Sequence, residues 1–197
     1  MSRVAPVTEK STEHTSLAPF GFWLYLMTDC ILFGALFATF IVLRGGAFNV
    51  PEGSELFDMP FVLTETLILL TSSFVCGMAV LAARAKNLQG VVAALLGTIL
   101  LGVAFLGMEI SEFAKLAGEG QGWTTSAFMS AFFTLIGTHG LHIAAGLLWA
   151  MALVWFVAKK GMTDTFSKKL GLFAMFWHFL DLVWIFIFTI VYLMGVA

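Results

Sequence analysis

The chain has 197 residues, 60% of them apolar and 11% charged, with 21 Phe and 6 Trp, and its mean hydropathy is +0.97. Such usage lies far outside soluble-domain averages and identifies an integral membrane protein. A formal net charge of -2 offers no basic patch, so no nucleic acid partner is expected.

Residues 1–19, MSRVAPVTEKSTEHTSLAP, are polar, with no apolar stretch of signal-peptide length and no small-residue cleavage site. They read as a disordered cytoplasmic arm rather than a removed leader. A hydrocarbon core of about 30 Å needs roughly 20 helical residues. Five segments reach that length: Phe20 to Leu43, Phe61 to Ala83, Val91 to Phe113, Ser126 to Ala158 and Gly171 to Gly195. The fourth is long enough that it must tilt, project beyond the bilayer or begin later than Ser126. Between the spans stand the expected breakers: Gly45, Gly46, Pro51, Gly53 and Pro60, then Asn87 and Gly90, then GEGQG from Gly118 to Gly122, then Gly161 to Thr165. No internal repeat is visible. Residues 20–197 are therefore expected to form one all-α, polytopic domain of five transmembrane helices. Cys30 and Cys76 fall inside apolar runs, where a free Cys behaves as a small packing residue, and two isolated cysteines make neither a metal motif nor a disulfide framework.

Lys and Arg are sorted by side. The arm, the second loop and the fourth loop hold eight, Arg3, Lys10, Arg84, Lys86, Lys159, Lys160, Lys168 and Lys169, against Arg44 and Lys115 opposite. The positive-inside rule then places the N-terminus in the cytoplasm and the C-terminus in the periplasm.

Ionisable residues within the spans are expensive and need partners. They are Asp29, Glu65, Glu109, Glu112, His139, His142, His178 and Asp181. Converted to depth, Asp29 and Asp181 each lie about 14 Å from the inner ends of their helices. His142 reaches a similar level, while Glu65 and Glu109 are expected about one turn from the outer ends, giving two tiers. Residues three apart share a helix face, which pairs Glu109 with Glu112, His139 with His142 and His178 with Asp181. The bland reading of each is a hydrogen bond joining two helices. E-x-x-E, H-x-x-H and H-x-x-D also supply the ligand types of di-iron bundles, but the Glu-x-x-His of such bundles is absent and the estimated depths separate the glutamates from His142 and His178. Three membrane histidines explained as polar pairs argue against haem ligation by this chain, and unbroken spans without inverted repeats argue against a secondary transporter.

AFFTLIGTHGLHIAAGLLWA, residues 131–150, and MFWHFLDLVWIFIFTIVYLMG, residues 175–195, resemble the last two helices of haem-copper oxidase subunit III. Upstream, LGVAFLGMEISEF resembles that family's third-to-last helix, with Ser111, Glu112 and Phe113 in its S-E-aromatic ending. MPFVLTETLILLTSS resembles the proline-led helix, and FGFWLYLMTDCILFGALFATF the helix holding a buried carboxylate, here Asp29. The resemblance covers nearly everything after the arm. Five spans, the F-W-x-Y-L-M-x-D-C-I-L-F opening and the terminal V-Y-L-M-G are most similar to the five-helix members of cytochrome bo-type ubiquinol oxidases. Two positions depart from the cytochrome c oxidases: Asp29 stands where they commonly have glutamate, and Glu65 where they usually have asparagine.

The resemblance implies an accessory subunit without catalytic residues, cofactors or metal of its own, in a bacterial cytoplasmic membrane. Haems and copper would lie in the large subunit of a complex that oxidises ubiquinol, reduces oxygen to water and pumps protons. The partners implied are subunits I and II, a small subunit IV, and phospholipids held in a cleft near Asp29. In the family that carboxylate has been linked with oxygen access and proton uptake. His178 and Asp181 would then be a structural pair clamping the fifth helix to its neighbours. The alternatives are subunit III of a cytochrome c oxidase and, from another class, a free-standing membrane metalloenzyme.

Overall fold

The computed structural model describes residues 18–44, 59–120 and 122–193. The polar arm, the acidic first loop and the end of the fifth expected span lie outside the described residues. Within them are five helices long and apolar enough to cross a membrane: α1 Ala18–Arg44, α2 Met59–Arg84, α3 Leu88–Gly118, α4 Ala127–Lys160 and α5 Asp164–Ile187. A π-helical turn, Phe188–Leu193, continues α5.

Two helices run longer than hydropathy alone suggests. The α3 helix begins at Leu88 because the Asn87 side chain accepts a hydrogen bond from Gly90 N at 3.1 Å, an N-cap that follows a turn in which Lys86 takes a φ of 54°. It continues past Phe113 to Gly118 because Leu116 still finds a buried site. The α5 helix starts at Asp164, well before Gly171, with the Thr163 hydroxyl accepting from Phe166 N at 3.1 Å. Its first two turns are amphipathic: Phe166 and Leu170 are buried while Ser167, Lys168 and Lys169 are exposed. Such a stripe packs as a helix without being apolar enough to read as a span. The Ser126 side chain caps α4, whose 34 residues extend about 51 Å at 1.5 Å per residue, well beyond a core of about 30 Å.

Helices α2, α3, α4 and α5 close a ring in which each packs on the next and α5 returns to α2, while α1 leans on α4 and α5 from outside. The buried side chains of α1 are Leu26, Asp29, Phe33 and Phe40, a single stripe at helical spacing. Trp177 fills the centre of the ring. A Cβ on Gly102 of α3 would lie 3.0 Å from its indole and a Cβ on Gly146 of α4 2.8 Å from it, so both positions need glycine for the helices to close on the ring. Lipid is as apolar as any side chain, so close packing and polar contacts rather than hydrophobic drive hold such a bundle.

The seam between α2 and α5 is a ladder. Trp184 Nε1 donates to Thr66 Oγ1 at 3.1 Å, and Trp177 Nε1 donates to Ser72 Oγ at 3.1 Å. Ser73 Oγ and His178 Nδ1 lie 2.6 Å apart. Moving along α2 from Thr66 to Ser73 moves back along α5 from Trp184 to His178, the register of antiparallel neighbours.

Candidate functional site

The expected polar residues fall into three groups. On α1, Asp29 is 7% exposed and turns toward α4, where His142 Nε2 lies 3.8 Å from Asp29 Oδ1. The other ring nitrogen of His142 is 2.7 Å from the Thr138 carbonyl oxygen, which fixes the ring. Depth places His142 level with Asp29, and the structure brings the two side by side. Asp29 Oδ2 has no hydrogen-bond partner among the described residues. A groove of about 500 Å³ runs between α1 and α5, lined by Trp23, Met27, Cys30 and Phe179 among others. Cys30 thus faces a groove, while Cys76 packs in the interior.

The second group is on α5. His178 is exposed on the bundle surface and reaches inward only to Ser73. Asp181 is close enough to interact with both Ser73 and His178, and its Oδ1 is buried without a hydrogen-bond partner among the described residues. The expected pair therefore does share a face, and it meets α2 through one serine.

The third group lies toward the Arg44 and Lys115 side. Glu65 from α2 and Glu109 and Glu112 from α3 are all buried and near enough to feel one another. Tyr192, delivered by the π-helical turn, donates to Glu112 Oε2 at 3.0 Å, and Glu112 also feels Lys115. Both Glu65 oxygens and Glu109 Oε2 lack hydrogen-bond partners among the described residues. The Glu109 carboxyl packs directly on Gly140 of α4, where a Cβ would lie 2.8 Å from Oε2.

That contact corrects the expected depth of Glu109. Because α3 runs to Gly118, Glu109 lies nine residues from the end of its helix, about 14 Å, rather than one turn. It stands level with His139 and His142, and the two tiers overlap. His139 also departs from expectation: it shares no hydrogen bond with His142 or any carboxylate, and both ring nitrogens are unpartnered among the described residues. Instead its ring is fully buried among Phe33, Phe105 and Trp184, with centroids 6.4, 5.9 and 5.2 Å away. Aromatic faces rather than a polar partner surround it. No group of three metal-ligating side chains converges among the described residues.

Sequence spacing missed Thr66, Ser72, Ser73 and Tyr192, and with them the indole donors Trp177 and Trp184. The nearest available signal was a pair of tryptophans on α5, since a buried indole N–H needs an acceptor.

A family model describing cytochrome c oxidase subunit III matches residues 9–196. Cytochrome bo(3) ubiquinol oxidase subunit 3 of Pseudomonas aeruginosa is 52% identical over 177 residues, covering 89% of this chain and 84% of that relative. Quinol oxidase subunit 3 of Bacillus subtilis is 45% identical over 189 residues, 96% of this chain and 93% of the relative. Cytochrome c oxidase subunit 3 of Bacillus sp. PS3 is 45% identical over 177 residues, 90% of this chain and 86% of the relative.

Proposed function

The chain belongs to the cytochrome c oxidase subunit III family, and from that premise we propose that it serves a bacterial quinol-oxidising complex as a structural membrane subunit. The observation that carries the reading is the similarity, over nine-tenths of the chain, to relatives named as quinol oxidase subunits. The complex is a haem-copper quinol oxidase of the respiratory chain. In it subunit I holds the haems and copper, and subunits I, II and a small subunit IV are the partners. Ubiquinol is the electron donor, oxygen is reduced to water and protons are pumped.

The described histidines of this chain do not fit a haem or copper of its own. His139 is closed in by three aromatic rings. His142 is bonded through Nδ1 to the Thr138 carbonyl oxygen and faces Asp29 across 3.8 Å with Nε2, and His178 is engaged at Nδ1 by Ser73. No step of the chemistry is routed through this subunit. It supports the large subunit, holds phospholipid along its flanks near Asp29, and stabilises the assembly. The Lys- and Arg-rich side faces the cytoplasm and the C-terminus faces the periplasm, with residues 1–19 as a cytoplasmic arm and residues 20–197 as the membrane domain.

The relative named as a cytochrome c oxidase subunit sets the second reading, which differs in electron donor. Purification through a tag on this chain in mild detergent tests both. The expected result is co-purification of the large haem-bearing subunit and oxygen uptake driven by ubiquinol. Oxygen uptake from reduced cytochrome c alone would establish the second reading. A chain that purifies free of other subunits, with stoichiometric metal, would establish the metalloenzyme instead.

A further inference from the structure

Every outer face of a membrane bundle meets lipid, so a lipid site needs a concave shape and a headgroup partner as well as an apolar lining. The surface between α2 and α5 has all three features. It forms a groove of about 690 Å³, a volume in the range of small-molecule clefts, about 300–1,000 Å³. Its hollow comes from missing side chains: a Cβ added at Gly77 of α2 or at Gly171 of α5 would meet nothing within 4 Å. On α5 the lining runs from Lys168 through Met175 to His178. The two ends are ten residue steps apart, or about 15 Å of helix, and half of a hydrocarbon core of about 30 Å. The groove is one leaflet deep.

Arg84, in the last turn of α2, and Lys168, near the start of α5, stand at its mouth. Both are exposed, and neither forms an ion pair among the described residues. The adjacent Lys169 is turned away to lie 4.8 Å from the centroid of Phe156, so consecutive lysines serve different surfaces. Among the described residues no carboxylate lines the groove, so none of them receives the ammonium of a zwitterionic headgroup. Two free cations above an apolar trough one leaflet deep complement a phosphate ester with net negative charge.

We propose that the α2–α5 groove binds an anionic phospholipid from the leaflet on the Lys- and Arg-rich side, with its phosphate between Arg84 and Lys168 and an acyl chain running toward His178. This adds to the lipid-holding role proposed above a second place, away from Asp29, and a lipid class, and it rests on that reading.

The test uses the oxidase purified through this chain, stripped of endogenous lipid by detergent exchange. Phosphatidylglycerol or phosphatidylcholine is then titrated back, with bound lipid counted by native mass spectrometry. The wild type is expected to favour phosphatidylglycerol. Arg84→Gln with Lys168→Gln should weaken phosphatidylglycerol binding roughly thirtyfold, about fivefold for each cation, and leave phosphatidylcholine unchanged. Gly171→Leu fills the trough without meeting a protein atom and should reduce binding of both lipids; retention of the variant on the oxidase shows that it has folded. Unchanged phosphatidylglycerol binding in the double variant or in Gly171→Leu would overturn the proposal. So would a structure of the whole complex in which a helix of another subunit fills the groove. Failure of the wild-type chain to co-purify with an oxidase would refute the oxidase reading instead, and the same titration on the chain as purified would still decide the groove.

Discussion

Replacing Ser72 by Ala removes one oxygen from the α2–α5 seam, and its cost can be worked from what that oxygen holds. Ser72 is fully buried, accepts from Trp177 Nε1 at 3.1 Å and donates to the Thr98 carbonyl oxygen at 3.3 Å. That carbonyl, within a helix, keeps its i+4 partner, so the loss falls on the indole N–H. An orphaned buried donor costs about 1–3 kcal/mol in water-soluble cores. Interhelical hydrogen bonds in membrane bundles average only about 0.6 and reach about 1.7 kcal/mol, because the unfolded reference state finds other partners. Trp177 cannot find one in the folded state, since it is seated against Gly102 and Gly146 and is 1% exposed. The upper part of the membrane range applies, about 1–1.7 kcal/mol. Unfolding of the purified subunit in mixed micelles of rising SDS content, followed by near-ultraviolet circular dichroism of the tryptophans, would measure it. A double-mutant cycle with Trp177→Phe isolates the pair from the loss of ring volume. A coupling within about 0.3 kcal/mol of zero, the usual additivity error, would refute the assignment of this seam's strength to its polar rungs.

Gly140→Ala should cost about 1–3 kcal/mol by overpacking, because its Cβ falls on the Glu109 carboxyl, 2.9 Å from Cδ. The penalty should largely disappear in a Glu109→Ala background, and an equal penalty in both backgrounds, by the same SDS unfolding, would count against the contact. Tyr192→Phe leaves Glu112 Oε2 without its donor and is expected to destabilise by about 1–3 kcal/mol. Glu112→Gln, whose amide oxygen can still accept, should cost less, and the reverse order would exclude the bond as a stabilising one. Asp29→Asn should leave the subunit on the oxidase through detergent extraction, since 3.8 Å to His142 is beyond hydrogen-bond length. Loss of the variant under conditions that retain the wild type would show that an ion pair holds α1. Finally, a C-terminal reporter that is active only in the periplasm should be active here, and activity of a cytoplasm-only reporter would reverse the topology.

Five helices were legible because a spanning segment must be long, apolar and unbroken, and these conditions leave few placements. The opening turns of α5 were not, because Lys168 and Lys169 lower the local hydropathy while Phe166 and Leu170 still pack. The polar groups were legible as pairs on a face and illegible as partners across helices. Spacing brings His178 and Asp181 to one side of α5, but only the register between α5 and α2 delivers them to Ser73. Hydroxyl residues hide this further. Thr28, Thr39, Thr64, Thr71 and Thr189 each bond a carbonyl of their own helix, the default for such residues in apolar surroundings. Thr66 also donates to the Val62 carbonyl of its own helix while accepting from Trp184, and nothing in the sequence marks it, Ser72 or Ser73 as the ones that also engage a neighbour. Tyr192 reaches Glu112 from a π-helical turn, whose extra residue shifts the side chain off the face that a regular helix would assign.

The ladder also explains why a segment as apolar as FWHFLDLVW carries a histidine and an aspartate. A slide of α5 along α2 would already carry Trp177 off its seat against Gly102 and Gly146, and the polar rungs add a second cost to that loss of close packing. Thr66 with Trp184, Ser72 with Trp177 and Ser73 with His178 all obey one antiparallel register. A slip of a single residue turns every side chain about 100° around the helix and separates all three pairs at once. Each rung is worth little alone, yet a shifted register forfeits their sum and leaves buried donors and acceptors unpaired, as a polar residue in a coiled-coil seam does. Asp181, which interacts with the same serine as His178, adds to the penalty of a slip without needing any chemical role.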